Sequence, residues 1–285
     1  MLTRGEFSAQ KGYFTFAKNT SKCDYLRLAY LQAASIKKTQ ATNLYAVAVD
    51  AETFKEITDE HQKVFDYVIQ IPDTNENEDP EWKLGDEWKS YWLTPFKETV
   101  KLDCDMTFNR NIDHWWPVYQ LKDVLFTTKV VDYLGNVSNS RAYRRMFDEN
   151  RLPNLYSAFF YFRYSLQSAE FFDLARKIYQ NWKYFRDELL INCRDTYPTT
   201  DVVFSIAAKI LGEENFYIPD LSIPKIVHMK GGIQGWGIDE DWTTKLYSQI
   251  DDEYNHTVGF TRQMYPFHYY QKDYATDEVM QKYVK

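Results

Sequence analysis

Residues 43–50, Asn-Leu-Tyr-Ala-Val-Ala-Val-Asp, form an almost unbroken apolar run of strand length. A strand of that kind belongs in a sheet covered on both faces, because neither side of it is suited to water. The neighbouring segments set the alternation. Residues 12–17 make a first strand, 24–37 carry apolar side chains at helical spacing, 52–64 make a second helix, and 65–71 a third apolar strand. Asn19-Thr20-Ser21 is the expected cap of the first helix. Strand, helix, strand, helix, strand predicts parallel pairing with helices on the faces. In such sheets ligands bind beyond the carboxyl ends of the strands. Asn19, Asp50 and Asp103 all fall there.

The fourth strand leads into acid. Residues 98–108 run Glu-Thr-Val-Lys-Leu-Asp-Cys-Asp-Met-Thr-Phe, with Val100 and Leu102 alternating with Thr99 and Lys101. Strand geometry puts residues i and i+2 on one face, so the carboxylates of Asp103 and Asp105 point the same way. Two like charges that close repel unless a cation lies between them. Hard divalent ions such as Mg²⁺ and Mn²⁺ take oxygen ligands and bridge nucleotide phosphates. The pair is therefore a candidate site for a metal and a nucleotide diphosphate.

Residues 72–80 are an acidic loop, and 81–96 a core helix bearing Trp82, Trp88, Tyr91, Trp92 and Phe96. A short helix over 113–119 includes His114, assigned to packing, and 123–131 is a strand. Arg141, Arg144, Arg145 and Arg151 form a basic cluster, either solvated and paired with Asp148 and Glu149 or facing an anionic acceptor. A central strand spans 155–164, an amphipathic helix 168–185, and another helix 199–211, with Asp201 in its first turn and Gly212 at its end. Residues 224–236 take an apolar strand into His228, Lys230, Gly231, Gly232 and Gly235. Glycines let backbone amides approach phosphate oxygens, and a neutral imidazole suits Mn²⁺ as a third ligand. Residues 237–285 are polar and aromatic, with a short strand at 265–270 and a helix at 277–284.

The net charge of −7 does not suit a generic nucleic-acid binder. Three scattered cysteines, Cys23, Cys104 and Cys193, suggest a reducing compartment. No secretory leader pattern and no long apolar span is evident, so the expectation is a soluble, cytoplasmic protein. Aromatic residues make up 18% of the chain, which favours strands and flat surfaces for bases or sugars.

Together these segments resemble the retaining glycosyltransferases of the GT-A fold, closest to glycosyltransferase family eight, the glycogenin and galactosyltransferase type. Asp103-Cys104-Asp105 at its strand end looks like the family's Leu-Asp-x-Asp. The stretch from His228 to Trp236 is similar to its His-x-x-Gly-x-x-Lys-Pro-Trp, keeping the His, the first Gly and the Trp. The resemblance implies an α/β fold, a Rossmann-like, mixed, mainly parallel sheet flanked by helices. It assigns residues 1–240 to a nucleotide-sugar-binding catalytic domain and 241–285 to a small C-terminal extension, on the acceptor side or in a homodimer contact. It implies transfer of a hexose or pentose from a nucleotide-diphosphate sugar, a UDP-sugar first of all, to a hydroxyl of a glycan, a protein or a modified DNA base, with retention. Asp103, Asp105 and His228 would hold Mn²⁺ (or Mg²⁺) on the diphosphate. Ala17, Asn19, Tyr25, Asp50, Asp103, Gly231 and Gln234 would contact the nucleotide. Asp201 would contact the donor sugar, and Lys230 would supply positive charge during catalysis. Gln234 replaces the motif's Lys, Gly235 its Pro, and Val202 the Gln after the sugar-contacting acid. These departures bear on the donor sugar more than on the metal site. The alternatives are a nucleotidyltransferase, or a non-catalytic binding protein on the same fold.

Overall fold

The computed structural model describes residues 4–73, 83–138 and 144–284. Most of the acidic loop (74–80), Trp82 and Arg141 lie outside the described residues. In chain order the strands are β1 (Ala9–Phe16), β2 (Tyr45–Val49), β3 (Tyr67–Gln70), β4 (Phe96–Leu102), β5 (Met106–Thr107), β6 (Val124–Thr127) and β7 (Lys129–Val131). They continue with β8 (Tyr156–Arg163), β9 (Lys225–His228), β10 (Ser248–Ile250), β11 (His256–Val258), β12 (Thr261–Arg262) and β13 (Phe267–His268). The central sheet has the order β3-β2-β1-β4-β8-β6. Its first four strands pair in parallel, and β8 runs antiparallel to both β4 and β6. This is the mixed, mainly parallel, helix-flanked sheet that the sequence predicts.

All five residues of β2 are buried, as its apolar run requires. β4 is buried at its carboxyl end, as expected of a buried strand: Thr99 and Lys101 are as buried as Val100 and Leu102. The reason is position: β4 lies between β1 and β8 in mid-sheet, with both faces covered. Alternate residues of β8 feed two separate cores. Phe159 and Tyr161 pack with Trp115, Trp116 and Tyr119, while Phe160 and Phe162 pack with Phe171, Phe172 and Phe204 of the helices Leu166–Gln180 and Thr200–Leu211.

Local capping corrects several sequence boundaries. The first helix starts one turn later than Asn19-Thr20-Ser21, because Asp24 Oδ1 accepts the amide of Arg27 at 2.9 Å. The expected helix over 52–64 splits into Ala51–Phe54 and Asp59–Gln62, since Thr58 and His61 form a capping box that begins a new helix. The aromatic segment of 81–96 is a 3₁₀ turn (Lys83–Lys89) followed by a short helix (Ser90–Leu93). The strand expected over 123–131 divides at a register shift after Phe126, and β7 leaves the central sheet for a second one.

That second sheet, β5-β13-β9-β7, positions the site. β13 pairs antiparallel with β5 and parallel with β9, so that His268 is opposite both Met106 and His228. The amide of Tyr269 donates to Asp105 O at 3.1 Å, and the amide of Met229 to His268 O at 2.9 Å. Three segments more than 30 residues apart are thus tied by backbone hydrogen bonds immediately after Asp105.

The last 45 residues are woven into this arrangement. Trp242 is fully buried and its indole donates to Tyr269 O at 2.7 Å. The buried Tyr283, in the terminal helix Asp277–Val284, donates to Asn109 Oδ1 at 2.8 Å. Both belong to the core that holds Tyr13, Val47 and Leu102. No helix among the described residues is long and apolar enough to cross a membrane.

Shared packing of this kind predicts shared unfolding. Trp242→Ala should lower the unfolding free energy by about 3–5 kcal/mol, the usual cost of truncating a buried aromatic. Urea denaturation followed by tyrosine fluorescence and by far-UV circular dichroism should give one coincident, shifted transition. A separate early transition for the C-terminal residues would contradict the shared core.

Candidate functional site

A cleft of about 350 Å³ opens at the carboxyl ends of β1 and β4. Phe16, Lys18, Tyr25, Glu87, Lys101, Asp103, Asp105 and Lys272 line it. A larger cavity, about 490 Å³, lies among Trp242, Ser248, Ile250 and Lys282. The smaller cleft holds the paired carboxylates and is therefore the candidate site.

The backbone at the strand end is fixed from three sides. Asp103 donates its amide to Ala158 O at 2.9 Å, and Gln32 Nε2 donates to Asp103 O at 2.6 Å. Tyr45 in turn donates its hydroxyl to Gln32 Oε1 at 2.8 Å. Each carboxylate also meets its own ammonium. Lys101, enclosed within the sheet, reaches Asp103 Oδ1 at 3.3 Å and makes a short ion pair with Glu87. Burial alone would lower the Lys101 ammonium, but the charges of Glu87 and Asp103 outweigh it and raise it above its usual range. Burial raises the Glu87 carboxyl despite Lys101. Beside this group Asp86 is held between Lys18 at 2.7 Å and Lys89 at 2.6 Å.

Asp105 is buried, and its Oδ2 takes two donors: His268 Nε2 at 3.0 Å and the ammonium of Lys272. Burial would push this carboxyl up. The charges and hydrogen bonds of His268 and Lys272 win, and hold it well below the usual carboxylate range. Asp103, Asp105 and His268 present ligand atoms all within 4.8 Å of one another. Two carboxylates and an imidazole at that spacing fit a hard divalent ion of the Mn²⁺ or Mg²⁺ kind. Coordination through His268 Nε2 would move its proton to Nδ1, which is buried with no hydrogen-bond partner.

His228 sits one ring away. Its imidazole stacks on that of His268, with centroids 4.4 Å apart and planes 6° from parallel. Burial, and then the neighbouring imidazole, push His228 well below its ordinary value, so it is neutral. The structure thus brings His228 beside the carboxylates, with His268 between it and Asp105. Beyond it lie Lys230 and Arg144, which both act electrostatically on His228. Arg144 Nη1 pairs with Asp201 Oδ2 at 2.6 Å, and Asp201 Oδ1 accepts from Ser157 N at 2.7 Å and Ser157 Oγ at 2.6 Å. Burial lowers the Lys230 ammonium, partly offset by Asp201. Electrostatic influence therefore extends from Asp105 through the two imidazoles to Lys230 and to the Arg144–Asp201 pair.

The remaining expected residues occupy more structural positions. Of the nucleotide set, Tyr25, Asp103 and the neighbours of Ala17, namely Phe16 and Lys18, line the cleft. Ala17 is buried and donates its amide to Ala48 O. Asn19 Oδ1 accepts from Leu26 N at 2.9 Å, and its Nδ2 donates to Glu56 at 2.8 Å. Asp50 caps the helix Ala51–Phe54 by accepting from Thr53 N at 2.9 Å. Gln234 spans two backbones, donating to His228 O at 2.7 Å and accepting from Tyr133 N at 3.1 Å. At Gly231 an added Cβ would come within 2.1 Å of Gly237 O, so glycine here permits loop closure. His114 is exposed on the short helical segment. Arg145 pairs with Glu149 at 2.6 Å, and the Arg144 guanidinium is buried against Phe147 and Tyr156 rather than presented to solvent.

Sequence reasoning did not find His268, Lys272, Glu87 or the internal role of Lys101. His268 lies in the strand expected at 265–270, but its importance comes from pairing across 163 residues with Asp105.

No protein-family model matches the chain, and no curated protein sequence matches it. Among solved structures, the fold is similar to mouse xyloside xylosyltransferase 1 in its apo form, with a TM-score of 0.48 and 12% identity, covering 91% of this chain and 97% of that one. It is also similar to the glycosyltransferase GlyE of Streptococcus pneumoniae TIGR4 (TM-score 0.42, 8% identity, 75% of this chain) and to the bifunctional WbbM apo structure (0.42, 10%, 62%). The chain spans 46% of the GlyE structure and 36% of the WbbM structure.

The depressed Asp105 carboxyl has a definite pH consequence. Its stabilisation is fully present above the unfolded carboxyl value of about 3.9 and is lost as pH falls towards the folded value below it. Asp105→Asn should therefore be less stable than the parent near pH 7, with the gap shrinking progressively towards about pH 3. Urea midpoints across that range check this. A gap independent of pH would mean that Asp105 is not held by charge.

Proposed function

We propose that the chain is a glycosyltransferase that moves a sugar from a nucleotide-diphosphate sugar, a UDP-sugar first of all, to a hydroxyl acceptor with retention of configuration. The observation that carries this is the pair Asp103 and Asp105 in a cleft at the carboxyl ends of two parallel strands, with an imidazole at ligand spacing. A mainly parallel sheet places ligands at that edge, and the sequence motifs around Asp103 and His228 support the same reading.

In this reading Asp103, Asp105 and the imidazole of His268, with His228 behind it, would hold Mn²⁺ or Mg²⁺. Such an ion supplies Lewis-acid stabilisation to the charge on the leaving diphosphate. The chain's own residues do the rest. Tyr25 and Phe16 offer flat walls for the nucleotide in the cleft. Lys101, Gln32 and Ala158 fix Asp103 before any ligand arrives, so no reorganisation is needed on binding. Asp201, oriented by Arg144 and Ser157, is the acid for the donor sugar's hydroxyls, and Lys230 adds positive potential next to it. The acceptor oxygen bonds to the anomeric carbon as the bond to the diphosphate oxygen breaks, through an oxocarbenium-like transition state. The acceptor's proton passes to the departing diphosphate, which is consistent with transfer on one face. The net negative charge favours a glycan or protein hydroxyl as acceptor over a modified base in DNA, whose phosphate backbone it repels. Residues 1–240 then supply the donor site, and 241–284 complete it with His268 and Lys272.

UDP release from a panel of UDP-hexoses and UDP-pentoses, with manganese present, tests the reading. At least one donor should turn over, and Asp103→Asn and Asp105→Asn should each reduce kcat/KM by about 100-fold or more, as expected when several kcal/mol of charge stabilisation is removed. Turnover unchanged in Asp105→Asn would sink the assignment.

A further inference from the structure

We propose that Lys272 is a cation built into the donor site: its ammonium binds the donor's diphosphate directly and competes with a divalent ion for Asp105. The inference rests on the nucleotide-diphosphate reading above and adds to it a residue that neither motif contains.

The geometry separates the two ammonium groups at the paired carboxylates. The Lys101 side chain is 1% exposed, enclosed between Glu87 and Asp103, and cannot turn to a ligand without leaving both. Lys272 is different. It lines the cleft, its side chain is 34% exposed, and its partner Asp105 is only 5% exposed. A ligand entering the cleft therefore meets the Lys272 side chain before the enclosed Asp105 carboxylate. An ammonium has three donors, and the bond to Asp105 uses one. The Tyr25 and Tyr270 rings lie 6.0 and 5.7 Å from Lys272 Nζ. Its backbone is anchored as well: Arg27 donates to Ala275 O at 2.9 Å and pairs with Asp277 at 2.7 Å, tying this segment to the helix Tyr25–Thr39.

Charge then decides the consequences. A diphosphate entering the cleft meets a positive group already in place, and a charge-assisted hydrogen bond to phosphate is among the stronger contacts available to a protein. A divalent ion entering the same place must share Asp105 Oδ2 with Lys272, and the two cations repel. Removing the charge of Lys272 should therefore affect the two ligands in opposite directions. A residue that merely supports the fold would weaken both.

Calorimetric titration of the full chain tests this with Lys272→Met and the charge-retaining Lys272→Arg. UDP should bind the parent measurably in excess EDTA. Under those conditions Lys272→Met should weaken UDP by about tenfold or more, while Lys272→Arg stays within about threefold of the parent, as expected for loss or retention of a phosphate-binding charge. Titrated alone, Mn²⁺ should bind Lys272→Met several-fold more tightly than the parent. Parent binding of UDP only when manganese is present, or UDP and Mn²⁺ affinities unchanged in Lys272→Met, would overturn the Lys272 proposal and leave the donor reading intact. A parent chain that binds UDP in neither condition would overturn both. A far-UV circular dichroism spectrum and a cooperative urea transition in Lys272→Met like those of the parent separate loss of the contact from a folding defect.

Discussion

The pairing of a two-residue strand holds the site together. β13 lies between β5 and β9, and its few backbone hydrogen bonds bring the residues just after Asp105, the end of β9 at His228, and His268 into one layer. Such a short strand cannot persist alone in water. It is stable here because Trp242, Phe267, Tyr269 and Tyr274 are buried around it. The chemistry at the carboxyl end of β4 therefore depends on apolar packing contributed by the last 45 residues. The C-terminal segment is part of the site's foundation.

Electrostatics set the second constraint. Two carboxylates one residue apart would repel, and the fold resolves this with ammonium groups of different kinds. Lys101 is enclosed and ties Asp103 and Glu87 into one ion-paired group, a duty that makes it structural. Lys272 approaches Asp105 from the cleft side. The enclosed group gives rigidity and the accessible one gives a means of recognising an anion. The stacked imidazoles extend the arrangement: His268 contacts Asp105, and His228, neutral through burial, leads on to Lys230, Arg144 and Asp201.

Much of the fold could be read from the sequence because apolar periodicity carries it. The run ending at Val49, the helix starting after Asp24, and the strand entering Asp103 all lie close to where pattern places them. β4 is buried from Thr99 to Leu102 although polar and apolar residues alternate there, because it lies in mid-sheet and an internal ion pair accommodates Lys101. The carboxylate pair was legible because its two members are local. His268 and Lys272 were not, because their proximity to Asp105 arises from the partners of β13, and the strand expected at 265–270 does not name those partners. For the same reason His228 drew attention through its glycine-rich surroundings, while the imidazole standing between it and Asp105 did not. Gly231 and Gln234, read as nucleotide contacts, also close the loop after β9.

Anomalous diffraction at the manganese edge, from crystals grown with Mn²⁺ and UDP, tests the central claim most directly. The account predicts one strong peak at the carboxylates of Asp103 and Asp105 and the imidazole of His268, with the diphosphate beside it and the uridine in the cleft against Tyr25. A manganese peak or a UDP molecule bound elsewhere, with that cleft left empty, would contradict it.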